Sequence, residues 1–171
     1  LFFIIRVFGL KLGRKIASVI FSSIGFFFKS KSIVKKNIFY VFENASKDEI
    51  KNITESMWKN YAYVFTEYIY LYKYRLNKFP NVQIKISGKK ILDQLIKSNK
   101  QAVFVSGHFA NFELMAMELD KSGIKCAAIY RPLNNFFLNP LMEYLRMKYI
   151  CPNQIPKGRM GMREIISKVK D

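Results

Sequence analysis

One histidine stands in the whole chain, His108, and a carboxylate, Glu113, follows it five residues later. An imidazole takes up and releases protons near neutral pH. A carboxylate that reaches it fixes its tautomer and stabilises the imidazolium. The pair is therefore suited to general-base chemistry. Further along stand four cations with room to act on an anionic group: Arg131, Arg146, Lys157 and Arg159. Arginine favours such work because its planar fork holds two oxygens at once. Two other chemistries lack their residues. There is no G-x-S-x-G, so Ser106-Gly107 reads as a turn and not as a nucleophile. There is no HExxH and no second histidine, so no metal is expected.

The elements around His108 read as an α/β arrangement. Residues 102–105 form a short β-branched and aromatic run, expected as a buried strand. Ser106-Gly107 breaks it, and from Asn111 the spacing of Phe112, Leu114, Met115, Met117 and Leu119 predicts a helix to about Lys121. A second apolar strand is expected over 126–130, a helix over Leu138–Tyr149, a broken strand over 150–155 and a further helix from Met162. Upstream, Val82, Ile84 and Ile86 alternate with polar residues as in a half-exposed strand, and 91–96 makes a short helix. Strands and helices alternating through short connections predict a parallel or mixed sheet with covering helices. Functional groups collect at strand ends in such sheets, where His108 and Arg131 both fall.

The first part of the chain is different in kind. Within residues 1–28 the longest uncharged run, 16–28, has 13 residues, short of the roughly 20 that span a bilayer. Lys11, Arg14, Lys15, Ser18, Ser22, Gly25 and Lys29 share one helical face, and Leu12, Ile16, Ile20, Ile24 and Phe27 the other. That pattern predicts a helix lying in the membrane interface with its basic stripe on headgroups. Residues 29–42 continue the basic and aromatic character. Ser46 and Glu49 make a capping box, followed by Ile50, Ile53, Met57, Tyr61, Val64, Tyr68 and Leu71 at helical steps to about Tyr74. The expected division is a membrane-associated helix at 1–28, a helical part at 29–78 and an α/β part at 79–171.

The net charge is +17, and residues 1–42 carry eight Lys/Arg and no acid, which points to an anionic partner. The chain is half hydrophobic, too apolar for disorder. Nucleic acid is not the expected partner, because no binding motif for it occurs and the aromatics follow helical spacing. Cys126 and Cys151 form neither a CxxC pair nor a framework and read as free thiols. The chain begins at Leu1 and ends inside a helical pattern, so it is expected to be an internal fragment, incomplete at the C-terminus.

Three segments, in order, carry a resemblance: Ser-Gly-His-Phe-Ala-Asn-Phe-Glu at 106–113, Tyr130-Arg-Pro-Leu-Asn-Asn135 and Ile155-Pro-Lys-Gly-Arg159. With Lys36-Asn37-Ile-Phe-Tyr-Val-Phe42 and Met57-Trp-Lys-Asn60, they resemble the lipid A biosynthesis (lauroyl/myristoyl) acyltransferases of the His-x4-Asp/Glu acyltransferase superfamily. Two departures are Ala110, where that family usually has glycine, and Phe112, where it usually has tryptophan. Both keep size class and apolarity. The resemblance implies a glycerolipid-acyltransferase-like fold and transfer of an acyl chain from acyl carrier protein to a hydroxyl of a lipid A precursor. His108 would be the general base and Glu113 its partner, with no covalent intermediate and no cofactor. Backbone amides at the start of the following helix would stabilise the oxyanion. Arg131, Arg146, Lys157 and Arg159 would bind the phosphorylated acceptor. It implies, too, a place at the bacterial inner membrane with the catalytic domain on the cytoplasmic side. Two alternatives keep the same residues in view: a sister enzyme acylating another glycolipid or glycerophospholipid, and a non-enzymatic basic membrane-binding protein.

Overall fold

The Ser46 hydroxyl accepts from the Glu49 amide at 3.2 Å, and the Glu49 carboxylate accepts from the Ser46 amide at 2.8 Å. Both otherwise orphaned donors at a helix start are thereby satisfied, as the capping box predicts. These bonds to Ser46 hold the Glu49 carboxyl below its usual value. The helix they start is α3, Lys47–Tyr68. It follows α1, Phe2–Phe28, and α2, Lys31–Val41, in a computed structural model that describes residues 2–28, 30–79 and 84–170. The chain divides into two units, Leu1–Tyr70 and Leu71–Asp171.

In the first unit α1 lies along α3 and bends at Gly9, whose φ of 76° lies in the region glycine alone enters freely. The face that meets α3 mixes small residues with the buried Ile5 and with Phe21, whose ring stands 5.5 Å from that of Phe65. Ala17 and Ser18 are buried, and Gly25 sits so close to the Trp58 ring that a Cβ there would collide with it. Arg14 is drawn into the same face, where its guanidinium pairs with the buried Glu67 and stands 5.5 Å from the Tyr63 ring centre. This corrects the expected stripe. Arg14, Ser18 and Gly25 belong to the packing face, while Leu12, Ile24 and Phe27 are exposed. Helices approach most closely where side chains are small, and Ala17 and Gly25 allow that approach here. Among the described residues, no helix is long and apolar enough to cross a membrane.

The second unit holds α4 (Leu71–Arg75), α5 (Lys89–Ser98), α6 (Glu113–Lys121), β1 (Ala127–Tyr130), α7 (Leu138–Tyr149), β2 (Asn153–Pro156) and α8 (Arg159–Lys170). β1 and β2 are parallel, with Ala127 opposite Asn153 and Tyr130 opposite Pro156, joined through α7 as a βαβ crossover. Leu71, Tyr74, Met117, Met142, Ile150 and Ile155 are buried as its core. Arg75 ties three helices: it pairs with Asp120 of α6 at 2.6 Å and donates to the Ile150 carbonyl at the end of α7 at 2.9 Å. The whole is mostly helical with a small parallel sheet, α/β in character.

Two expected strands are corrected. Residues 102–105 join no ladder among the described residues, and Val103 and Val105 are 91% and 89% exposed. The same holds for 84–86, while Val82 and Gln83 lie outside the described residues. An apolar, β-branched run signals a tendency to bury, but a strand exists only where a neighbouring backbone exchanges hydrogen bonds with it. Here β1 and β2 supply that only to each other. Cys126 and Cys151 are free thiols, as expected. Burial pushes the Cys126 thiol up to about 11 and raises Cys151, so both stay protonated and unreactive at neutral pH.

Candidate functional site

Glu113 opens α6 and points to the core side of it, one helical turn before the fully buried Met117. A buried carboxylate demands an answering charge. Arg146 supplies it from α7, donating to Glu113 Oε1 from Nε at 2.8 Å and from a terminal nitrogen at 2.6 Å. The same guanidinium stands 5.7 Å from the centre of the Tyr130 ring, at the end of β1. One side chain thus locks the start of α6 and the inner face of α7 to the carboxyl end of the sheet.

His108 lies outside that lock, in the turn before α6. It is exposed, with its ring 4.2 Å from the Phe112 ring at an interplanar angle of 56°. No hydrogen bond joins His108 to Glu113 among the described residues in this arrangement, because the carboxylate is turned to Arg146. Phe112, one of the two departures from the family pattern, therefore serves as the surface against which the imidazole rests. Ser106 behaves as a turn residue, its hydroxyl donating to the Gly107 carbonyl at 3.2 Å.

Ala110, the other departure, has φ +45°. What matters at this position is backbone sign and not size. A left-handed residue with a Cβ is strained by roughly 1–2 kcal/mol, and glycine is not. Ala110→Gly is expected to raise stability by about 0.5–1 kcal/mol, the strain relieved less the extra freedom of an unfolded glycine. A urea melt of the two proteins measures it, and an unchanged or lowered midpoint would contradict the strain.

The remaining cations gather at the carboxyl ends of the strands. Tyr130 faces Pro156 in register, and the Lys157 amide donates to the Tyr130 carbonyl at 2.8 Å, so Arg131 and Lys157 leave the sheet side by side. Arg159 begins α8 two residues later. All three are exposed, whereas Arg146 is half-buried against the buried Glu113. The expected quartet is thus a trio on the surface and one positioning arginine beneath it. On the other side of α6, Leu114 borders an open cleft of about 490 Å³ lined also by Ile84, Ile86, Ile91, Leu95 and Phe104. It was not foreseen in the sequence. The apolar spacing of α5 and the exposed run at 102–105 are the signals that mark it.

The model of one protein family, described as bacterial lipid A biosynthesis acyltransferase, matches residues 1–171. No curated protein and no solved structure matches the chain.

Proposed function

We propose a function whose premise is membership: the chain belongs to the bacterial lipid A biosynthesis acyltransferases, a family of transferases that act in lipid A synthesis. The proposed reaction moves a fatty acyl chain from the thioester of acyl carrier protein to a hydroxyl of a lipid A precursor. His108 takes the hydroxyl proton as the oxygen attacks the carbonyl. A C–O bond forms, the C–S bond breaks, and the imidazolium returns the proton to the departing thiolate. Glu113 is engaged by Arg146 through Oε1, and we assign its carboxylate to orient the imidazole once the acceptor is seated. Amides at the start of α6 face the developing oxyanion. The cleft beside Leu114 is the proposed berth of the acyl chain.

The observation that carries this reading is the Glu113–Arg146–Tyr130 link. It fixes the acid partner of the histidine to the same strand end from which Arg131 and Lys157 emerge. Proton transfer and anion binding are thereby held on one frame. The test is the full-length enzyme with an acyl-carrier thioester and the phosphorylated acceptor, read by product mass. Absence of transfer to that acceptor, with transfer to another hydroxyl lipid, would redirect the assignment to a sister enzyme.

Arg131 is assigned to the acceptor's phosphate. Arg131→Lys keeps the charge but loses the fork, and is expected to raise KM roughly tenfold, about one charged hydrogen bond. Unchanged kinetics would reduce Arg131 to a surface cation. The first unit is proposed to rest on the bacterial inner membrane from the cytoplasmic side, through the outward Leu12, Ile24 and Phe27 of α1 with Lys11 and Lys15 exposed beside them. Co-sedimentation with anionic vesicles checks this, and a protein that stays in the supernatant would remove it.

A further inference from the structure

The loop after β1 exposes two neighbouring aromatic rings. Phe136 and Phe137 are 83% and 88% exposed and meet edge to face, with centroids 5.7 Å apart. The backbone that carries them is tied by side-chain hydrogen bonds. Asn135 accepts from the amides of Phe137 at 3.0 Å and Leu138 at 2.9 Å, capping the start of α7, and the Leu133 amide donates to Asn139 at 2.7 Å. The exposed stripe continues along α7 at helical steps of four and three, through Leu141 and Tyr144. It ends at Lys148, whose ammonium donates to the Tyr144 hydroxyl at 2.7 Å and stands over the Tyr144 ring. The opposite face of the helix carries the buried Met142 and the Arg146 that holds Glu113.

We infer that this loop and the outer stripe of α7 are a bilayer contact of the second unit: Phe136 and Phe137 enter the acyl chains, and Tyr144 and Lys148 remain at the headgroups. The inference rests on the acyl-transfer reading, since an enzyme whose acceptor is a lipid must meet that lipid at its own surface. The chemistry of the stripe selects the same partner. Phenylalanine is purely apolar, whereas tyrosine and lysine pair an apolar body with a polar tip and settle where oil meets water. The order along α7 thus describes a graded depth, with about 16 Å of helix between Phe137 and Lys148. Between Asp120 and Glu143 there is no acid, while Lys125 and Arg131 are present and exposed, a charge that suits anionic headgroups. A second copy of this chain fits poorly, because each molecule carries +17 and a two-fold contact sets like surface against like.

The full-length protein tests this with one reporter. Trp58, the one tryptophan of residues 1–171, is replaced as Trp58→Phe, any tryptophan outside those residues is likewise changed to phenylalanine, and a new one is placed as Phe137→Trp. With phosphatidylglycerol vesicles its emission is expected to move to the blue, and brominated acyl chains are expected to remove roughly half of it, the depth of an interfacial insertion. Tyr144→Trp on the same background is expected to be quenched less. An unquenched reporter on protein that pellets with the vesicles would overturn the inference. So would blue emission that rises with protein concentration in the absence of lipid, or that appears only on adding the acidic carrier protein. Emission already blue in the free full-length enzyme would mean that its own chain covers the rings, and would overturn it as well. An enzyme inert in transfer but quenched to that extent supports the contact and counts against acyl transfer alone.

Discussion

His108→Ala is expected to lower turnover by roughly 10²–10⁴-fold, the contribution of a positioned general base, while leaving the melting curve in place. The two halves of that expectation have separate causes. The imidazole is the group assigned to receive the proton, so its removal raises the barrier to attack. Yet the ring is exposed and rests against Phe112, so its removal opens no cavity in the core. Turnover with an acyl-carrier thioester and a urea melt, run on the same preparation, read the two separately. Full turnover in the variant would remove His108 from the mechanism. A collapse of stability with it would make the histidine structural.

Arg146→Ala is expected to act the opposite way round, with a stability loss of about 3–5 kcal/mol from breaking a buried ion pair on one side only. The cost arises because Glu113 stays behind at 8% side-chain exposure with the two bonds to Oε1 gone. Such a loss is a large fraction of the roughly 5–15 kcal/mol that holds a domain folded. A paired change tells the two explanations apart. If the stranded carboxylate is the cause, Arg146→Met with Glu113→Gln recovers most of the loss in a urea melt, since neither buried charge remains. It stays slow in turnover, because the carboxylate that orients the imidazole is gone. If the double variant is as unstable as Arg146→Ala, packing of the arginine stem, not charge, is what α7 requires.

Much of this was open to reading in the sequence where local rules decide. Ser46 and Glu49 announce the start of α3, and the spacing of Leu138–Tyr149 marks α7 to the residue. The Glu113–Arg146 pair was legible too, though not read. Met142, Arg146 and Ile150 step along one helical face, and Met142 and Ile150 are core. An arginine between them must find an acid, and Glu113 sits in the same way one turn before Met117. What escaped were properties that belong to two segments at once. Whether 102–105 is a strand depends on a neighbour that no local pattern supplies. Which side of α1 meets α3 is set by Gly25 and Ala17, small enough for α3 to approach, and spacing within α1 alone does not show it. The left-handed backbone at Ala110 is invisible where an alanine stands in for the glycine that would have signalled it.

Arg75 closes the far end of α7 with donations to the carbonyls of Tyr149 and Ile150, from 74 and 75 positions earlier in the chain. The last turn of that helix is thus finished by a residue that no neighbour in the sequence can replace. A ribosome delivers the chain from its amino end, so the guanidinium is already outside the exit tunnel when those carbonyls emerge. Asp120, which pairs with it in the folded chain, emerges between the two. The closing contact of α7 therefore waits for nothing still to be synthesised, and the order of translation is also an order in which this long-range link can be made.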